Sequence, residues 1–189
     1  MLALIILAVI LAGGYIWYAS IISRRNTVLE ALGSIDAQLT QRHDLIPNIL
    51  TIAQSFMTHE RELMEAVTAQ RAAAQQGIGA RDAQSVAQHM QAETLLAGSM
   101  GRLFALAENY PQLKSNETMV EAQRSYRNVE DNIAAARRFY NSAVTSLNNA
   151  VQIFPGSFFA GIAGVGAYPY FEASEAQRAP VNAQDYLKQ

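Results

Sequence analysis

From Val28 the apolar positions advance by steps of four and three: Val28, Leu32, Ile35 and Leu39, then a charge at Arg42, then Ile46, Ile49, Ala53 and Phe56. Such a repeat, averaging 3.5 residues, is the seam of a helix packed in a bundle. The phase carries on through Glu60, Leu63 and Val67 and is not reset at Pro47. It predicts one long helix from about Thr27 to Gln76, kinked near the proline. Gln76-Gly77-Ile78-Gly79 predicts a turn. Helical spacing resumes from Arg81 to Glu108, with Ala83, Val86, Met90, Ala97, Met100, Phe104 and Ala107 on one face, and Tyr110-Pro111 ends it. A third helix, capped by Ser115 or Asn116, runs to about Ile153 on a seam of Ala122, Tyr126, Val129, Ile133, Ala136, Tyr140, Val144, Leu147 and Val151. Three long helices alternating in direction put the third parallel to the first. On that topology residues 154–171 start at the far tip of the bundle.

Ahead of the seam, residues 2–22 hold no charged side chain. As a helix they would be about 32 Å long, enough for a bilayer core of roughly 30 Å. Tyr15, Trp17 and Tyr18 cluster toward the C-terminal end, where aromatic rings suit the interface. No basic residue precedes the apolar run, and the run passes straight through Ala12-Gly13-Gly14, so an uncleaved anchor is expected rather than a signal peptide. Arg24 and Arg25 follow the span, and the positive-inside rule then puts the N-terminus outside and the bundle in the cytoplasm. The expected fold is all-α. A transmembrane anchor (residues 1–23) is followed by an antiparallel helical bundle (24–153), then an apolar, glycine-rich segment (154–171) and a polar tail (172–189). Residues 139–171 carry no charge. The glycine-rich segment is too broken for a spanning helix. It is expected either to fold back over the bundle groove, with a short helix near Ser157 to Ala163, or to offer Phe154, Phe158, Phe159, Tyr170 and Phe171 as a contact surface.

Charges on the seam suggest register devices. Aligning the distal ends of parallel first and third helices puts Glu60 level with Arg137, and Arg42 level with Glu117 to Glu121. Buried pairs of this kind are poor stabilisers but attested register devices.

Composition removes more function classes than it adds. The chain has 189 residues, half of them hydrophobic, and a net charge of −2, which gives no reason to expect nucleic acid. There is no cysteine, which excludes thiolate catalysis and cysteine–zinc sites. His43 and His59 lie sixteen positions apart, about 24 Å along a straight helix, and cannot share an ion within one copy. Leu63 stands where a His-Glu-x-x-His motif needs its second histidine. His89 stands alone and reads as a solvated or core histidine. No metal, cofactor or enzymatic activity is expected.

These residues resemble the LemA family. The resemblance rests on Ile35-Asp36, Gln38-Leu39, Arg42, Asp44-Leu45-Ile46-Pro47-Asn48, His59-Glu60, Tyr110-Pro111 with Leu113, Glu117, Glu130, Asn132-Ile133-Ala134, Ala136-Arg137, Tyr140-Asn141, Phe154-Pro155 and Pro169-Tyr170-Phe171-Glu172. It implies a single-pass bacterial inner-membrane protein with a LemA-like four-helix bundle of three long helices and one short C-terminal helix. It also implies no established enzymatic activity, and links to membrane organisation and to membrane-protease functions. Arg42, Asp44, Pro47, Asn48, Glu60, Glu130 and Arg137 are the expected structural motif. The expected role is a membrane-anchored scaffold or adaptor, with an accessory or substrate-binding subunit of a membrane complex, such as a membrane protease, as the second reading. The expected partners are the lipid bilayer, further copies of the chain and other membrane proteins.

Overall fold

One helix, α1 (Leu2–Gln54), carries the apolar segment and the first seam without a break. In a computed structural model of the chain, which describes residues 1–171, it is followed by α2 (Arg61–Gln75), α3 (Ala83–Ala107), the single turn α4 (Pro111–Lys114), α5 (Glu117–Gln152) and α6 (Gly156–Ala163). The polar tail, residues 172–189, lies outside the described residues. At 53 residues α1 is about 80 Å long. Its first part is long and apolar enough to cross a membrane.

The first seam does not continue to Gln76. The chain reverses between Ser55 and Glu60, and α2 runs back antiparallel beside α1. Arg71 on α2 reaches the His43 carbonyl at 2.7 Å, and Gly79 beyond α2 reaches Asp36 at 3.2 Å. Ser55, Thr58 and His59 are weak helix formers, so continuity costs little to interrupt there. Reversal lets Met64, Val67 and Ala74 bury themselves in one core with Ile46, Ile49, Leu50 and Ala53. Straight on, they would have found only solvent. A return arm of 15 residues is about 22 Å long and stops well short of Arg25.

With one extra reversal, the direction of α5 is inverted. Arg42 pairs with Glu130, while Arg24 reaches the Ser146 carbonyl at 3.4 Å, so numbers rise along α1 as they fall along α5. The fold is therefore an up-down-up-down bundle of α1, α2, α3 and α5, and α5 descends toward the apolar segment instead of climbing away from it. The caps follow local chemistry. Asp82 accepts from Ser85 N–H at 3.0 Å and Asn116 from Met119 N–H at 3.0 Å. Gly79, at φ 89°, makes the turn before α3.

Residues 154–171 sit at the end of the bundle nearest the apolar segment, not at the far tip. After α6 the chain turns through Gly164, at φ 63°, and runs back up along α5. Asn148 holds the backbone N–H and carbonyl of Tyr168 (2.9 and 3.0 Å), and Asn141 does the same for Phe171 (2.9 Å each). Two side-chain amides one heptad apart thus act as rungs for an extended strap. The Tyr168 hydroxyl donates to the Arg81 carbonyl at 2.6 Å and ties the strap to the start of α3.

Candidate functional site

The bundle has two apolar cores. One gathers Ile21, Val28, Ile35, Leu39, Val86, Ile133, Tyr140, Val144 and Leu147 with the strap residues Val165, Tyr168 and Phe171. The other lies toward the far tip, from Ile46 and Tyr126 to Met100, Leu103 and Leu113. Between them lies a layer of ionisable groups, and its hub is Arg42. The heptad seam places Arg42 on the inward face of α1, where its side chain is fully buried. It donates to Glu130 on α5 at 2.9 Å and to Glu93 on α3, itself fully buried. His43 Nε2 lies 3.0 Å from Glu93 Oε1. His89, one turn before Glu93 on α3, places Nε2 3.9 Å from both Glu93 Oε1 and Asp36 Oδ1. Asp36 also takes Arg81 at 3.1 Å. One buried carboxylate thus joins an arginine to two histidines across α1 and α3, and Glu130 ties in α5.

The cluster sets its own protonation. Burial would raise the Glu93 carboxyl, but the close approach of the His43 imidazole and the Arg42 charge overcome it and hold the group below the usual carboxylate range. Burial likewise opposes the Arg42 charge, and Glu93 and Glu130 together hold it above its ordinary value. For His89 burial prevails, and the imidazole sits below its ordinary value despite Glu93 and Asp36. Arg137 lies near the cluster. Burial and repulsion from Arg42 lower its guanidinium, which sits 5.0 Å from the Phe171 ring centre.

Pro47 explains a further contact. In an α-helix the N–H of residue 47 would bond the carbonyl of His43, and proline has none. The His43 carbonyl is therefore free, and Arg71 takes it. The proline stays inside α1 and gives α2 a docking point on it.

The expected motif residues part company here. Arg42, Glu130 and, at the edge, Arg137 meet in the cluster. Pro47 acts through the His43 carbonyl. Asp44 and Asn48 face solvent. Glu60 does not meet Arg137: it accepts from the Tyr110 hydroxyl at 3.3 Å at the far tip. Arg42 meets Glu93 and Glu130 rather than Glu117 to Glu121, because α5 runs opposite to the direction assumed. Glu93 and His89 were missed as partners. The signal was available, since Glu93 lies between Met90 and Ala97 on the inward face of α3, as Arg42 does on α1. Of the expected contact surface, Phe154, Phe158 and Tyr170 are exposed. Phe159 packs against Gly14, and Phe171 is buried edge-on to Tyr140.

Among the described residues no group of three or more His, Asp or Glu is arranged to hold a metal ion. Glu93 is committed to Arg42 and His43. The layer can hold α1, α3 and α5 in register and respond to protons.

The class is an all-helical bundle that carries an N-terminal apolar helix of membrane-crossing length and a buried ion layer. Residues 31–184 match the model of the LemA family, and the chain belongs to that family. It is also similar to magnetosome protein MamQ 2 and magnetosome protein MamQ 1 of Paramagnetospirillum magneticum, each 32% identical over 83 residues. Magnetosome protein MamQ of Magnetospirillum gryphiswaldense is 31% identical over the same length. Each match covers 44% of this chain and 30% of the relative, so the chain spans under a third of the relatives it matches.

Proposed function

We propose that this protein is a membrane-anchored helical scaffold that holds its bundle at a fixed height and orientation against the bilayer. The observation that carries this reading is the unbroken α1, which passes from the apolar segment into the bundle core without a linker. Arg24 on Ser146 clamps α5 to it just past the span. A tether meant to let a domain search would have a flexible joint there. Arg24 and Arg25 favour a cytoplasmic bundle. An accessory subunit is the second reading. A groove of about 760 Å³ at the far tip, lined by Met57, Met64, Ala69 and Ala72 with Arg61 and Glu65, has room for a partner segment. The mass of the purified full-length chain in detergent separates the two. A homogeneous particle of several copies supports the scaffold. A single copy that gains mass only with a membrane partner favours the accessory subunit and removes self-assembly.

A further inference from the structure

The descent of α5 carries the chain below the last charges of the bundle. The pairing of Arg24 with Ser146 sets the register, and at equal rise the end of α5, Gln152, falls level with about Tyr18, inside the apolar segment. Beyond it, α6 packs on that segment. A Cβ on Gly14 would stand 3.2 Å from the Phe159 ring, and one on Gly156 would stand 3.6 Å from the Trp17 ring. Gly14 is ten residues before Arg24, about 15 Å deeper along the helix axis. Among the described residues, the face of α6 turned away from α1 and α5 meets no other element and is apolar. Phe158 and Ile162, one turn apart, are 62% and 63% exposed, and Phe154 just before the helix is 81% exposed.

Two further features fit the same environment. No charge occurs in residues 139–171, so nothing on α6 resists leaving water. Part of its backbone is also paired at each end. Ser157 N–H donates to Ile153 at 3.1 Å, Phe158 N–H to Pro155 at 3.1 Å, Gly164 N–H to Gly161 at 3.3 Å and Val165 N–H to Ala160 at 3.0 Å. Backbone at hydrocarbon depth survives only when paired in this way. Gly14 admits the Phe159 ring closely, as small residues do where helices meet in lipid. The strap then leads the chain back toward the polar bundle, so entry and exit lie on the same side.

We infer that α6 is a second membrane element, a re-entrant helix sunk beside the span into the leaflet nearest the bundle, with Phe154, Phe158 and Ile162 against the acyl chains. This rests on the reading of residues 2–22 as a span, and its occupant is lipid rather than another protein. The contact at Gly14, within the span, makes the bare face of α6 continuous with the lipid-facing surface of α1.

The chain has no cysteine, so single cysteines report position cleanly. The full-length protein carrying Leu7→Cys, Phe158→Cys, Ile162→Cys or Glu121→Cys is labelled with a small fluorophore. It is then reconstituted into phosphatidylcholine vesicles with or without bromine on the acyl chains. Quenching by the brominated lipid is compared with quenching by aqueous iodide on both sides. The expected result is bromine quenching at Phe158 and Ile162 at least half that at Leu7, with iodide access severalfold below that at Glu121. Iodide access equal to that at Glu121, with Leu7 still quenched by bromine, overturns the inference and leaves the span intact. Protection from both quenchers also overturns it, because protein would then cover α6. Iodide access at Leu7 itself removes the span, and the inference with it.

Discussion

Arg42 shows how much one seam position can commit. Its guanidinium neutralises a fully buried Glu93 and joins it to Glu130, so removing it strands a carboxylate in the core. Arg42→Met is expected to destabilise the fold by about 3–5 kcal/mol, the usual cost of breaking a buried pair from one side. Adding Glu93→Gln should return a good part of that loss, and thermal unfolding of both variants checks it. A double variant no better than the single would refute the pairing as the source. His89 gives the cluster a pH dependence of definite sign. Its folded pKa lies below the ordinary 6.5, so the unfolded chain binds the proton more readily. Stability from this group is full above about pH 6.5 and declines as pH falls below that. The depressed Glu93 adds a second loss once pH falls below its ordinary value of 4.5. The melting temperature should therefore drop between about pH 7 and pH 5.5, and His89→Gln should flatten that slope. An unchanged slope in the variant would assign the dependence elsewhere.

At the scale of elements, the join between α1 and α2 is set by a missing donor. Pro47 cannot serve the His43 carbonyl, and Arg71 does so from α2. Arg71→Met should then cost about 1–3 kcal/mol by leaving a part-buried carbonyl unpaired. In a Pro47→Ala background the new N–H takes that carbonyl, and the same change at Arg71 should cost distinctly less. Equal costs in the two backgrounds, read by denaturant unfolding, would show that the proline and arginine are not coupled. The break before α2 carries a lesson about seams. Glu60, Leu63 and Val67 keep the phase of α1, yet Val67 is buried on a helix pointing the other way. A heptad can be in phase across a turn, because phase records which face is apolar and not which direction the chain runs. The fold-back of residues 154–171 was legible as one of two readings, and α6 (Gly156–Ala163) bears out the short helix expected near Ser157 to Ala163, but the strap's path along α5 was not. Of the strap's rungs, Asn141 belongs to a block that carries the family resemblance and Asn148 is an ordinary polar residue, and the use of both depends on an extended segment that returns from beyond α6.

For the whole molecule, rigidity and the proposed membrane placement rest on one helix about 80 Å long, which α5 follows down to the level of about Tyr18. If the arginines after the span set the topology, Glu121→Cys should react with a membrane-impermeant maleimide only after the cell membrane is opened. Labelling of intact spheroplasts at that site would put the bundle on the outer face. Such a result would reverse the orientation without changing the fold.

The amino-acid order by itself determined the uncharged apolar segment, the helical periods, the cap at Asn116, and the presence of Arg42 on an apolar face. Each is decided within a turn or two of helix, by periodicity, side-chain reach and local hydrogen bonding. Only the tertiary structure decided that the chain reverses after Gln54, that Arg42 meets Glu93 and Glu130, and that residues 154–171 return to the span. Those outcomes rest on competition among distant surfaces for burial. One additional reversal, worth little in local helix energy, inverts every later helix and so changes the partner of every buried charge.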